Sequence, residues 1–123
     1  MRAIVLLVVG LSLCMASLAW ADGNAATGEG LFKHKCGSCH SAEAGKNRVG
    51  PSLAGVVGRK AASVETYSYS AAMRSSGLTW DPATLDTYLT NPRAKVPGTK
   101  MTFMGLPQAN DRADLIAYLN TLK

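Results

Sequence analysis

Five consecutive residues, Cys36-Gly37-Ser38-Cys39-His40, restrict this chain more than any bulk property of its 123 residues. Cysteines three apart lie on one face of a helical turn, and a histidine at i+4 from the first lies just beneath them. Two sulfurs so spaced reach the two vinyl groups along one side of a porphyrin, and the imidazole reaches the iron from below. CxxCH is the spacing of c-type haem attachment. Gly37 and Ser38 are small enough for the backbone to lie close against a flat ring.

Three other readings stand beside haem attachment. A thioredoxin-like redox pair wants a preceding strand and a βαβ pattern, and neither is visible here. A zinc site drawing on His34, Cys36, Cys39 and His40 has to bring four ligands within seven residues onto one tetrahedron. A structural disulfide leaves His40 without a role.

The chain is long enough for one domain and too short for two comfortable cores. Its first residues read as an address. Arg2 is followed by an apolar run from Ala3 to Leu18 and by the small-x-small sequence Ala19-Trp20-Ala21, so residues 1–21 are expected to be a signal peptide and the mature domain to span 22–123. Two alternatives for this segment are retention as a membrane anchor and lipidation at Cys14, where Leu13 is bulkier than the residue such signals place there. Cleavage removes one of the 13 bases and none of the 8 acids, leaving the mature chain at +4. That balance commonly serves solubility alone, and it can also steer a protein toward an acidic partner surface. The bases are scattered and accompanied by no nucleic-acid-binding motif, so nucleic acid is not expected as a partner.

Three stretches carry helical period. A first helix is expected over about residues 25–35, with Leu31 and Phe32 at i+3 and i+4 from Gly28, which admits a second helix closely. Asp81 as N-cap and Pro82 at the first helical position open another, with Leu85, Tyr88 and Leu89 on one face and a stop before Pro92. The last opens at Asp111 and presents Leu115, Tyr118, Leu119 and Leu122. A shorter piece runs from about Ser70 to Ser76 and ends on Gly77. Residues 41–69, with Gly45, Gly50, Pro51, Gly55 and Gly58 and no sustained alternation, read as a loop that wraps something.

A second axial ligand is open between Met73, Met101, Met104 and His34 on the residues alone. Met101 stands out by context, because Asn91-Pro92 ends a helix, Pro97-Gly98 turns the chain, and Thr99-Lys100-Met101 returns on an irregular segment where a ligand can be aimed.

Gly28 to Phe32, Cys36-Gly37-Ser38-Cys39-His40, Gly50-Pro51, Thr79-Trp80, Asn91-Pro92 and Pro97-Gly98-Thr99-Lys100-Met101 together resemble class I cytochrome c over essentially all of residues 24–123. The likeness is greatest to the mitochondrial-type branch and its bacterial periplasmic relatives. It implies an all-α fold, three main helices plus a short one, with long loops wrapped round one covalent haem c. It implies thioethers at Cys36 and Cys39, iron ligation by His40 and Met101, and a hydrogen bond from His40 to the Pro51 carbonyl. It further implies Arg59, Tyr69, Ser70 and Trp80 around the haem propionates, Tyr88 and Thr99 beside the methionine, and Phe103 over the pocket. Of these, Trp80 is the firmest, since its indole N–H needs an acceptor. By the same resemblance the first and last helices cross, with Gly28 and Phe32 against Leu115 and Tyr118. Met73 departs from the pattern, standing where mitochondrial-type proteins usually carry an asparagine, and Met104 is also unusual.

The function so implied is that of a soluble, monomeric carrier of single electrons rather than an enzyme. Its expected partners are a cytochrome bc1-type reductase, a terminal oxidase or a dehydrogenase, met through an acidic surface. Lys35, Arg48, Arg93 and Lys100 form the expected docking face. Membrane contact comes only through those partners, and the bacterial periplasm is the expected compartment.

Overall fold

The computed structural model describes residues 23–123, so the leader expected over 1–21 lies outside the described residues. Five helices follow in order: α1 (Ala25–Lys35), α2 (Ala71–Arg74), α3 (Pro82–Thr90), α4 (Pro92–Lys95) and α5 (Ala109–Leu119). Among the described residues there is no sheet, only an isolated antiparallel bridge between Lys60 and Thr79. The fold is all-α with long loops, as the sequence implies.

Each start has a local cause. Asn24 caps α1 by accepting from the Thr27 amide at 3.0 Å, and Lys33, His34 and Lys35 complement the dipole at its last turn. Asp81 caps α3 through the Thr84 amide at 2.7 Å, with Pro82 behind it. Ser70 caps the single turn of α2 through the Met73 amide.

Two details differ from expectation. Asn91-Pro92 is both a stop and a start: Asn91 accepts from the Ala94 amide at 3.2 Å and opens a second short helix, α4, with Pro92 at its first position. There are therefore two short helices rather than one. The last helix begins at Ala109 instead of Asp111, with no side-chain cap. Asp111 resembles an N-cap in sequence but lies in the first turn, where a carboxylate suits the dipole equally well. Leu122 falls beyond the helix, and its carbonyl accepts from the Gly55 amide at 2.8 Å.

The helix crossing of α1 and α5 sets the frame. A Cβ on Gly28 would sit 1.9 Å from the Asp114 carbonyl oxygen, so only glycine lets the backbones meet there. Phe32 and Tyr118 meet across the crossing with ring centroids 5.4 Å apart and planes tilted by 55°, and Leu115, one turn before Tyr118, is 1 % exposed. Burying side chains of this size contributes about 1.5–3 kcal/mol each. Around them the core adds Val56, Trp80, Leu85, Tyr88, Leu89, Val96, Leu106 and Leu119.

The loop of residues 41–69 is held by backbone bonds instead of regular structure. Leu53 N donates to the Ser41 carbonyl, Gly58 N to Trp80, Trp80 N to Arg59 and Ala61 N to Leu78, all between 2.8 and 2.9 Å. Cys36, Leu53, Val57, Met73, Leu78, Met101 and Phe103 pack against this core while remaining half-buried. The segment after α1 and the segment between α4 and α5 thus both contribute apolar groups that lie against the same core.

Candidate haem site

α1 does not simply end at Lys35. The amides of Cys36 and Gly37 both donate to the Phe32 carbonyl, and those of Cys39 and His40 to the Cys36 carbonyl at 3.0 and 2.8 Å. The chain therefore keeps a tight turn through the five motif residues, with the two cysteines one turn apart. Both are free thiols, not a disulfide. Burial, with Cys39 beside it, pushes the Cys36 thiol up to about 11, so this sulfur is held protonated and apolar.

His40 is fixed by two contacts. Its Nδ1–H donates to the Pro51 carbonyl at 2.7 Å. The backbone of Gly50 lies close against the ring as well, where a Cβ would come within 2.4 Å of Cε1 and 2.9 Å of Nε2. Gly50 itself is tied back by its amide to the Cys39 carbonyl at 2.7 Å. Burial lowers the His40 pKa, opposed by the Pro51 bond, with the Arg59 charge lowering it further. The ring is thus neutral, with its Nδ1 proton committed and Nε2 left with a free lone pair. Such an imidazole is a metal ligand in waiting.

Met101 lies between α4 and α5, half-buried against the core. The Tyr88 hydroxyl donates to its sulfur at 3.8 Å, and the Thr99 hydroxyl accepts from its amide at 3.3 Å. Burial pushes the Tyr88 phenol up to about 12, against a stabilising hydrogen bond with Thr99, so Tyr88 stays a donor. The other ligand candidates are placed differently. His34 is exposed on α1, and Met104 is 73 % exposed. Met73 is half-buried on α2.

Arg59 offers two guanidinium nitrogens to the carbonyls of Ala54 and Ser52, at 2.9 and 3.1 Å. Its Nε is buried with no protein partner, the one such side-chain atom among the described residues. An unpaired cationic donor in an apolar setting calls for an anionic acceptor. Trp80 is buried, with its ring 4.7 Å from that of Tyr88. The Tyr69 hydroxyl accepts from the Val64 amide at 3.1 Å, and Ser70 is occupied as the α2 cap. Phe103 is half-buried against the core.

Of the expected docking residues, Lys35 and Arg93 are exposed and appear in no ion pair among the described residues. Arg48 donates to the Gly37 carbonyl at 3.3 Å. Lys100 is largely spoken for: its ammonium donates to the Ser68 carbonyl at 2.5 Å and lies 4.7 Å over the Tyr67 ring. The Tyr67 hydroxyl in turn donates to the Val49 carbonyl at 2.8 Å. This front bracket was not legible from the sequence, nor was the space-filling reason for Gly50.

The residues present fit a covalent haem. Paired thiols, a fixed neutral imidazole, a thioether under a phenol and an orphaned buried guanidinium N–H match, in kind, its vinyls, its iron and its carboxylates. Among the described residues no cluster of three or more His, Cys, Asp or Glu is arranged to hold a metal ion, which weighs against the zinc reading. No helix among them is long and apolar enough to cross a membrane.

Comparison with known proteins agrees with this class of site. The cytochrome c family model matches residues 25–123. A cytochrome c2 of Rhodomicrobium vannielii is 51 % identical over 122 residues, covering 98 % of this chain and 97 % of the relative. The cytochrome c-type cyt cy of Rhodobacter capsulatus is 55 % identical over 104 residues, covering 85 % of this chain, and the match spans only about half, 52 %, of that protein's length. Among solved structures, cytochrome cH from Methylobacterium extorquens superposes with a TM-score of 0.76 at 50 % identity, covering 80 % of this chain and 99 % of that one. The chain belongs to the class I cytochrome c family. The cofactor of the family is one covalent haem c, and its activity is the transfer of single electrons.

Proposed function

We propose that this protein carries single electrons between exported or membrane-bound redox partners, with haem joined through Cys36 and Cys39 and its iron held by His40 Nε2 and Met101 Sδ. When bound, the haem supplies a one-electron couple. The observation that carries the reading is the pairing of two prepared ligands: an imidazole locked by Pro51 and Gly50, and a thioether under the Tyr88 hydroxyl.

Each neighbouring residue has a task in this scheme. Pro51 fixes the His40 tautomer and raises the donor strength of the free nitrogen. Tyr88 and Thr99 aim the Met101 sulfur, while burial keeps the phenol protonated over the working pH range. Arg59 Nε and the Trp80 indole donate to the propionates, with Tyr69 and Ser70 nearby. Phe103 and the half-buried apolar groups exclude water, which favours the less charged, reduced centre. Soft sulfur has the same effect, and His/Met ligation in cytochromes c is the standard example of raised potential.

With His40 Nε2 and Met101 Sδ both holding the iron, the haem would offer a substrate no position, and the protein would act as a carrier and not as an enzyme. Exposed Lys35 and Arg93, with Arg48 and Lys100, steer it to acidic faces of a reductase of the bc1 type, an oxidase or a dehydrogenase. The leader over residues 1–21 directs it to the periplasm, where it acts as a monomer.

Absorption spectra of both oxidation states test the ligand set. The weak iron–sulfur band of the ferric form is expected in the parent and absent in Met101→Ala. The reduced parent is expected to resist carbon monoxide at neutral pH. A parent that lacks the band and binds carbon monoxide readily has an open iron, and the carrier reading then fails in favour of a gas-binding or catalytic one.

A further inference from the structure

Arg112 is the best-connected charged side chain that the haem site does not use. It lies on the first half of α5, with its side chain only 12 % exposed. Its Nε donates to Asp86 Oδ1 at 2.7 Å, and its Nη1 donates to the carbonyls of Leu106 and Pro107 at 2.9 and 3.0 Å. A largely buried guanidinium on α5 thus ties α3 to the loop that precedes α5. Asp86 lies on α3, two residues before Tyr88, whose hydroxyl meets the Met101 sulfur. Leu106 and Pro107 close the segment that carries Met101.

That segment, residues 96–107, is held in its first half by the Thr99 amide on the Val96 carbonyl, by Lys100 on the Ser68 carbonyl and by the Tyr88 hydroxyl on the Met101 sulfur. At its start Val96 is buried, and its amide donates to the Pro92 carbonyl. At its end the Leu106 amide donates to the Leu89 carbonyl at 2.7 Å. Gly105 sits at φ +106° with no room for a Cβ, which would meet the Thr90 carbonyl oxygen at 2.4 Å. Between these ends Thr102 and Met104 are exposed. The far end is held by the buried Leu106 side chain and by backbone packed against α3, and Arg112 ties it there through the two carbonyls.

We infer that Arg112 is a positioning residue for Met101: by joining Asp86 to the carbonyls of Leu106 and Pro107, it holds the methionine segment and the Tyr88 helix in register, and so governs how readily the sulfur leaves the iron. The inference rests on the axial role proposed for Met101. Lysine cannot replace it, because a single ammonium lacks the planar fork that serves a carboxylate and two carbonyls together.

Added imidazole reports the departure of the sulfur, since it binds the ferric haem protein where methionine has left. In Arg112→Lys the apparent imidazole dissociation constant is expected to fall about tenfold relative to the parent. Asp86→Asn, which keeps an acceptor oxygen but loses the charge, is expected to shift it in the same direction by a smaller factor. Asp114→Ala is the control, since Asp114 Oδ1 accepts from the Asn24 amide at 2.7 Å and ties α5 to α1 instead. It lowers the denaturation midpoint but leaves imidazole affinity within twofold of the parent.

Affinity that follows global stability equally in all three variants overturns the inference, as does an unchanged affinity in Arg112→Lys. Should Arg112→Lys not accumulate, Asp86→Asn against Asp114→Ala decides by the same criterion. An iron–sulfur band missing from the parent itself overturns the earlier ligand assignment instead, so the two failures are separable.

Discussion

Replacing Gly50 by alanine tests whether the histidine is held by shape as well as by a hydrogen bond. Gly50 has an ordinary backbone conformation and is not among the glycines at positive φ, so the substitution acts through space alone. Its new Cβ would lie 2.4 Å from His40 Cε1 and 2.7 Å from Nδ1, against a comfortable carbon–carbon separation of about 3.5 Å. One side must give by about 1 Å. The Gly50 amide is bound to Cys39 and its carbonyl to the Arg48 amide, while the His40 amide is bound to Cys36, so the backbone yields little and the ring retreats. A retreat of that size takes Nδ1 from 2.7 Å to beyond bonding range of the Pro51 carbonyl. Overpacking of about 1–3 kcal/mol and loss of a hydrogen bond of about 1 kcal/mol together give roughly 2–4 kcal/mol. The assay is denaturant unfolding of the haem-loaded protein, paired with the acid midpoint at which the imidazole leaves the iron. Gly55→Ala, at φ +67° with open space around it, supplies a variant strained in its backbone but remote from the ring. Gly50→Ala is expected to raise the acid midpoint and Gly55→Ala to leave it alone. A Gly50→Ala protein within about 0.5 kcal/mol of the parent, with the same acid midpoint, refutes the steric argument.

Gly28→Ala drives a methyl into the Asp114 carbonyl and is expected to cost more than about 3 kcal/mol, read as loss of soluble haem protein on expression or a collapsed denaturation midpoint. Asp81 has its pKa lowered below 3.8, chiefly by the Thr84 amide. The folded form therefore binds its proton less readily than the unfolded chain, and the cap stabilises above that pH and is lost as pH falls through the folded value. Asp81→Asn should flatten the acid limb of the midpoint-versus-pH curve relative to the parent. Electron transfer to an acidic partner should slow as ionic strength rises toward 0.5 M, and Arg93→Glu should slow it at low salt only, because the Debye length shrinks to a few ångströms. A rate indifferent to salt removes the proposed docking face.

How far the sequence spoke depended on the range of each cause. Helix α1, the Asp81-Pro82 start and Gly28 as a point of close helix approach were legible because caps, proline and glycine act within a turn or two, whereas α5 as the partner at that point came from the family resemblance. The double role of Asn91-Pro92 was hidden, since a stop signal and a new cap use the same residues. The true start of α5 was obscured for the opposite reason, because no side chain caps it. CxxCH announced the site by spacing alone. Arg59, in contrast, gave no sign that two of its nitrogens bond carbonyls and the third is left over. Arg112 and Asp86 lie 26 positions apart, and no local pattern links them. Lys100 read as a free surface charge, but the fold brings Ser68 and Tyr67 beneath it.

The most direct test of the account is the mass of the purified, fully denatured and solvent-extracted protein. Haem bonded to Cys36 and Cys39 survives that treatment, so the chain should weigh one haem more than its polypeptide and remain coloured. A colourless chain at the bare polypeptide mass, from cells competent to attach haem, contradicts it.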